Sequence, residues 1–326
     1  MKGVYPHANT VVSIGDSMLL KKLEYEILLN ADGLAATLRE LNGINYFHSY
    51  RQADLDSYGA MLDGLMKATF TQMREISPVE LIWRIFSLYY DVHNIKLAAK
   101  ERFLRRRLDH YFLDYGGYPP SAIRSATVRE SDDILDNKIL TGGLFEAIRS
   151  KDMYDIDFIL DRTYFKALKD YAAQFGLPGI AAFVTERIDL YNVSAFFQHR
   201  AAGSPEGYFE KAFSGEGSRP YEEWQRYIGG APEEILQFEL WQKYEPVWKN
   251  AEDRRRLFSE FDVLRDNYLI ARTKACKLMA FGIEPICAYY FNKLMEIKNV
   301  RILLAGKEHG YAAEEITRRM RDTYEL

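Results

Sequence analysis

The stretch of sequence that decides the fold is PICAYYFNKLMEIKNV, residues 285–300. Its apolar side chains fall on nearly every side of a helix, which is typical of a helix buried inside a core. It ends in EIKNV, residues 296–300, where an acid stands three positions before an asparagine. The same order of acid, two residues, asparagine and β-branched residue occurs twice earlier, as DVHNI at residues 91–95 and DLYNV at residues 189–193.

The three copies are regularly spaced along the chain. Their asparagines, Asn94, Asn192 and Asn299, lie 98 and 107 residues apart. A proline precedes each asparagine by 16, 14 and 14 residues, at Pro78, Pro178 and Pro285. Because proline fits the first turn of a helix, we predict that each one opens a buried helix. At the first, Ser77 and Glu80 have the spacing of a capping box, with Ser77 as N-cap.

The repeat predicts an all-α chain of three structurally similar helical modules. Gly, Ser and Pro cluster at residues 116–120 and 203–220, which predicts loops there. The predicted modules are therefore residues 1–117, 118–217 and 218–326. Residues 156–164 and 261–268 are a second, weaker echo between the last two modules.

Composition favours a globular, intracellular protein. Apolar residues make up 48% of the 326 residues and charged residues 28%, which is enough apolar material for a core. Acidic residues outnumber basic ones 47 to 43, so the chain as a whole does not attract nucleic acid or anionic lipid. Two cysteines are too few for a disulfide framework, and no apolar run is long enough to cross a bilayer.

The acid and the asparagine of each repeat would share one face of a helix, because they are three residues apart. On a buried helix both groups must be hydrogen-bonded. The first interpretation is a bond to another helix that fixes its register. The second is a polar inner surface shared by the modules, and the third, which the pattern favours least, is catalysis by the acids. The candidate residues are Asp91, Asn94, Asp189, Asn192, Glu296 and Asn299.

Other signs of chemistry are missing from the sequence. The six histidines never fall into a metal-ligand spacing, and no phosphate-binding loop or nucleophile motif occurs. We therefore predict no catalytic residue, no cofactor and no metal site. Arginines cluster at residues 105–107 and 254–256. They are interpreted as a salt-bridged helix surface, with contact to an acidic protein partner as the main alternative.

The sequence resembles the C subunit of the V/A-type ATPases, in the family that includes the eukaryotic V-ATPase d subunit. The resemblance is carried by YDVHNIK at residues 90–96, by the run from Glu284 to Lys307, and by Glu314-Glu315-Ile316. The length and the threefold repeat fit along most of the chain. The segment before Leu19 and residues 203–220 depart from the family pattern.

This resemblance implies a pseudo-threefold funnel of three helical modules that carries no active site. It implies a non-catalytic subunit of the central rotor, at the cytoplasmic face of the membrane. Its partners would be the central stalk and the membrane proteolipid ring, between which it transmits torque for ATP-coupled transport of H⁺ or Na⁺. The six repeat residues would shape a socket for the stalk. The alternatives are a generic helical scaffold and a helical nucleic-acid-binding protein.

Overall fold

The computed structural model describes residues 5–44, 46, 58–131, 135–202, 207–228, 234, 237–248, 254–280 and 282–325. Helices make up most of the described residues, which contain no strand. The prediction of an all-α fold is thus confirmed, whereas the three-module funnel stays a prediction. The chain divides into two compact units, residues 1–82 with 259–326, and residues 83–258.

The first unit is built around one long helix near the end of the chain. Its helices are α1 (Pro6–Ser17), α2 (Lys22–Asn30), α3 (Gly33–Gly43), α4 (Tyr58–Ile76), most of α14 (Arg254–Thr273), α15 (Ile283–Glu308) and α16 (Ala313–Thr317), with a 3₁₀ turn at Lys274–Leu278. The amino-terminal helices α1, α3 and α4 all pack on α15. Fourteen of the 26 residues of α15 are buried, as the apolar run at residues 285–300 predicts.

The second unit is centred on a pair of long helices. It contains most of α5 (Glu80–Leu104), a 3₁₀ turn at Asp109–Tyr111, α6 (Pro120–Arg129), α7 (Lys138–Ile148), α8 (Met153–Phe175), α9 (Pro178–Ala202), α10 (Tyr208–Ala212), α11 (Tyr221–Ile228), α12 (Glu239–Lys243) and α13 (Glu245–Trp248). Helix α8 packs against α7 and α9, and α10 packs on both α8 and α9.

The predicted loop at residues 203–220 is partly wrong, because it contains α10. Residues 203–206 lie outside the described residues. Phe209 of α10 is buried and meets the rings of Phe196 and Trp224 at centroid distances of 5.4 and 5.6 Å. These aromatic contacts supply the apolar burial that holds a five-residue helix too short to be stable alone.

The prolines open the long helices in two of the three repeats. Helix α9 begins at Pro178, and Pro285 is the third residue of α15. Pro78 instead lies two residues before α5, which begins at Glu80. The predicted capping box is therefore wrong: the Ser77 hydroxyl donates to the Met73 carbonyl at the end of α4.

Candidate functional site

Each repeat asparagine binds one backbone residue with both ends of its amide. In α5, Asn94 donates from Nδ2 to the Leu113 carbonyl at 2.6 Å and accepts from the Leu113 N–H at Oδ1 at 3.0 Å. One amide thereby satisfies a whole backbone residue, as a neighbouring strand would. We call this arrangement an amide clasp. The other two repeats have the same clasp, Asn192 with Ser214 at 2.9 and 2.9 Å and Asn299 with Arg321 at 2.9 and 2.7 Å.

The amide clasps join each long helix to the chain that returns beside it. The bound residues follow their asparagines by 19, 22 and 22 positions. The three asparagines are 0%, 1% and 2% exposed, so their amides lie away from water. The partner is thus a returning segment of the same repeat, and the bond between two helices proposed from the sequence is not what these amides make.

Each repeat acid binds a backbone N–H just before a helix begins. Asp91 Oδ1 accepts from the Tyr118 N–H at 2.9 Å, two residues before α6. Asp189 Oδ1 accepts from the Ser218 N–H at 2.7 Å, three residues before α11. We call these contacts acid clasps. They place Tyr118 and Ser218 at the predicted starts of the second and third modules, although the module boundaries themselves stay a prediction.

The third acid clasp returns to the beginning of the chain. Glu296 Oε2 accepts from the Leu20 N–H at 2.5 Å, two residues before α2 begins at Lys22. Leu20 lies between α1 and α2, so the third clasp binds the segment that joins the first two helices of the chain. In all three cases the acid accepts a backbone N–H two or three residues before a helix begins.

The glycines immediately before the first two donors make room for the aspartates. A Cβ added to Gly117 would lie 2.9 Å from Asp91 Oδ2, and one added to Gly217 would lie 2.7 Å from Asp189 Oδ1. Real Cβ atoms do not approach carboxylate oxygens so closely, so a side chain immediately before Tyr118 or Ser218 would displace the aspartate from its clasp. The sequence signal for these clasps is a glycine just ahead of a proline, as in Gly117-Tyr118-Pro119 and residues 217–220, GSRP.

The three carboxylates have different surroundings. Asp189 also accepts from the Ser218 hydroxyl at 2.8 Å and the Tyr244 hydroxyl at 2.9 Å. Glu296 accepts from Lys293 Nζ at 2.5 Å. Burial raises the pKa of Asp91 to about 7, although backbone N–H groups of Gly117 and Tyr118 act in the opposite direction.

A separate ion cluster ties α14 to the carboxyl-terminal segment. Asp266 Oδ2 lies 2.9 Å from Lys298 Nζ on α15 and 2.9 Å from Arg321 Nε, while Arg265 contacts Oδ1 at 3.1 Å. Burial alone would raise the pKa of Asp266, but these three cations lower it to about 2. Asp161 aligns with Asp266 in the similarity between residues 156–164 and 261–268. It pairs with Lys96 of α5 at 2.7 Å.

These arrangements are suited to holding helices and lack the parts of a reactive site. Every repeat acid is 6% exposed or less and is engaged by a backbone N–H. In the described part of the chain, no three His, Cys, Asp or Glu residues are grouped as metal ligands would be. Each of the six side chains is thus bonded to the backbone of this chain.

The comparisons with known proteins agree along the whole chain. A sequence model of the family described as ATP synthase (C/AC39) subunit matches residues 8–319. The C subunit of the V-type sodium ATPase of Enterococcus hirae is 26% identical over an alignment 335 positions long, which covers 99% of each chain. None of the helices in the described residues has both the length and the apolar content needed to span a membrane.

Proposed function

The chain belongs to the C/AC39 subunit family of ATP synthases, and on that premise we propose that it is a non-catalytic rotor subunit of a V/A-type rotary ATPase. In this role it is a socket that links the central stalk to the membrane proteolipid ring and passes torque between them. It acts as a peripheral subunit at the cytoplasmic face. The family match confirms the resemblance that the sequence shows to this family.

The observation that carries this proposal is the set of six clasps. A part that transmits torque must resist sliding of its long helices against the segments beside them. Each amide clasp fixes the donor and the acceptor of one backbone residue, which is buried at Ser214 and half-buried at Leu113 and Arg321, so a slip by one residue breaks both bonds. Leaving such buried groups unpaired costs about 1 to 3 kcal/mol each. The clasps therefore oppose shear in each of the three repeats.

The six repeat residues act in this proposal by positioning, because their side chains are buried. Asp91 is 3% exposed and Asn94 is 0% exposed, so neither presents a surface to a partner. They set the register of the long helices, whose outward faces then meet the stalk and the ring. In this proposal the six residues shape the socket indirectly, by fixing the helices whose outer faces form it.

The absence of catalysis in the proposal follows from how the carboxylates are used. A general acid or base must reach the proton that it transfers. Asp189 is 1% exposed and its oxygens are occupied by Ser218 and Tyr244. Such a carboxylate supports the fold and has no access to a substrate.

The proposal is tested by assembling the stalk and the ring with and without the purified chain. We expect the stalk to join the ring only when the chain is present, and ATP-driven ion transport to depend on it. The isolated chain should show no ATP hydrolysis. Turnover by the isolated chain, or a stalk that joins the ring equally well without it, would refute the proposal.

A matched pair of variants tests the role of the clasps. Asn192→Leu keeps the side-chain size but leaves the backbone of Ser214, which is 1% exposed, without its partner. We expect a loss of about 2 kcal/mol or more in the free energy of unfolding, together with weaker coupling of ATP hydrolysis to ion transport. Asn30→Leu, at an exposed position at the end of α2, is the control and should change neither. Unchanged stability and coupling in Asn192→Leu would contradict a mechanical role for the clasps.

A further inference from the structure

A basic groove lies between the carboxyl-terminal ends of α5 and α6. Its volume is about 490 Å³. Five arginines and two glutamates line it, and the remaining lining residues are small or apolar. The groove contains the arginine run 105–107 that the sequence singles out and that the proposed function does not use. The charged lining residues are Glu101, Arg102, Arg105, Arg106, Arg107, Arg124 and Glu130.

Three of the five arginines are matched by acids of the same unit. Arg124 binds Glu101 through two bonds of 2.9 Å. Arg107 lies 3.0 Å from Asp109. The third pair is Arg102 with Glu130 at 2.7 Å. These pairs account for the salt-bridged helix surface expected from the sequence, and they explain why most of the positive charge here needs no external partner.

The other two arginines of the groove are Arg105 and Arg106. Both are exposed, and neither guanidinium has an ion-pair or hydrogen-bond partner within the described part of the chain. Among the described residues, the groove thus carries two arginines without an acid partner beside three that are neutralised. The second run, Arg254 to Arg256, begins α14, and its side chains lie outside those that the structure describes.

The backbone of the groove is strained at both of its rims. Arg105, just after α5, has φ 53°, and Glu130, just after α6, has φ 48°. Elsewhere in the described chain, every residue with positive φ is a glycine. Glycine is the usual residue at this position after a helix because a side chain there is unfavourable. Two charged residues in such positions on one groove indicate that their side chains serve a purpose there.

The groove also offers an apolar surface. Val128 lines it and is 80% exposed, and Leu104, which precedes Arg105 but does not line the groove, is 46% exposed. An inorganic anion would leave these side chains in water. A peptide that carries both carboxylates and an apolar side chain would neutralise the two arginines and cover Val128 at the same time.

We propose that this groove binds an acidic segment of a partner protein, with its carboxylates on Arg105 and Arg106 and an apolar side chain against Val128. Nucleic acid fits less well, because the lining contains no aromatic side chain on which a base could stack. The inference that this partner belongs to the rotary complex rests on the proposed function. The inference that the groove binds an acidic segment does not depend on it.

The first experiment uses a labelled peptide of alternating Glu and Leu, and the same peptide with Gln in place of Glu. We expect the wild-type chain to bind the Glu peptide, to bind it less as salt is raised, and to bind the Gln peptide weakly. Arg105→Glu with Arg106→Glu should lower the affinity about tenfold or more. Arg39→Glu, which reverses an exposed arginine on α3, is the matched control and should leave it unchanged.

Three results would overturn the inference. They are failure of the wild-type chain to bind the Glu peptide at low salt, equal binding by the double variant, and equal binding of the Gln peptide. Binding of phosphatidylglycerol-containing vesicles through the same two arginines, without peptide binding, would assign the groove to a membrane instead. Melting curves of both variants check that neither is unfolded.

The second experiment repeats the comparison with the stalk and the ring. If the wild-type chain binds them and the double variant binds one of them about tenfold less tightly, the acidic segment belongs to that partner. If both chains bind them equally while the peptide result holds, the partner lies outside the complex and the proposed function stands. If neither chain binds them, the proposed function fails, and the peptide result still decides the groove.

Discussion

Asp91→Asn is the substitution that tests the acid clasp most directly. Asp91 is 3% exposed, and its carboxylate accepts the Tyr118 N–H at 2.9 Å. Asparagine can keep that bond through its side-chain oxygen but cannot ionise. The comparison between the two chains therefore isolates the effect of charge at one buried position.

The expected magnitude follows from the raised pKa of Asp91. Burial raises that pKa from 3.8 to about 7. A pKa difference of about 3 corresponds to about 4 kcal/mol. Below pH 4 the carboxyl is protonated in both the folded and the unfolded chain. As the pH rises, the unfolded chain loses this proton first, so the free energy of unfolding falls until Asp91 ionises in the fold near pH 7.

The assay is urea unfolding of both chains across this window of pH. We expect the variant to gain about 4 kcal/mol on the wild type between pH 4 and 8, whatever constant offset the substitution adds. Asp32→Asn, at an exposed position before α3, is the control and should track the wild type. Parallel stability curves for the wild type and Asp91→Asn would refute the reasoning about the buried carboxyl.

Three further predictions concern single side chains. Arg265, Lys298 and Arg321 lower the pKa of Asp266 to about 2 despite its burial, so the wild type should lose about 2 kcal/mol as the pH falls from 4 through 2. Asp266→Asn should flatten this part of an acid-unfolding curve, and an unchanged curve would contradict the cluster. Glu296→Asp should withdraw the carboxylate from Leu20 and lower the free energy of unfolding by about 1 to 3 kcal/mol. Glu296→Gln has a side chain long enough to keep the bond, so hydrogen exchange of the Leu20 amide should be faster in Glu296→Asp than in Glu296→Gln. Arg105→Gly should relieve the backbone at φ 53° and raise the free energy of unfolding by about 1 kcal/mol while it lowers affinity for the acidic peptide; a lower melting temperature would argue against strain there.

The sequence predicts the fold where periodic side chains decide it. The apolar run at residues 285–300 becomes α15, with Ile286, Ile297 and Val300 fully buried. The repeat of acid and asparagine points correctly to buried groups that must be hydrogen-bonded. These inferences succeed because burial of an apolar or polar side chain depends on its position along a helix, which a 3.6-residue period reveals.

The partners of the repeat residues could not be predicted in the same way. Leu113, Ser214 and Arg321 are bound through backbone N–H and C=O groups, which every residue except proline carries. Their side chains therefore have nothing in common from one repeat to the next. Only the glycines ahead of Tyr118 and Ser218 leave a trace in the sequence, because a carboxylate there excludes a Cβ.

The third repeat lacks even that trace, and the difference has a physical explanation. Where the acid is aspartate, a glycine precedes the donor, as Gly117 precedes Tyr118. Where the acid is Glu296, the residue before the donor Leu20 is Leu19. Glutamate is one methylene longer, so it reaches the N–H from farther away and leaves room for a side chain. The longer acid thus goes together with a donor segment from the opposite end of the sequence. A search for a repeated glycine would miss this clasp, because the longer glutamate lets the clasp form without one.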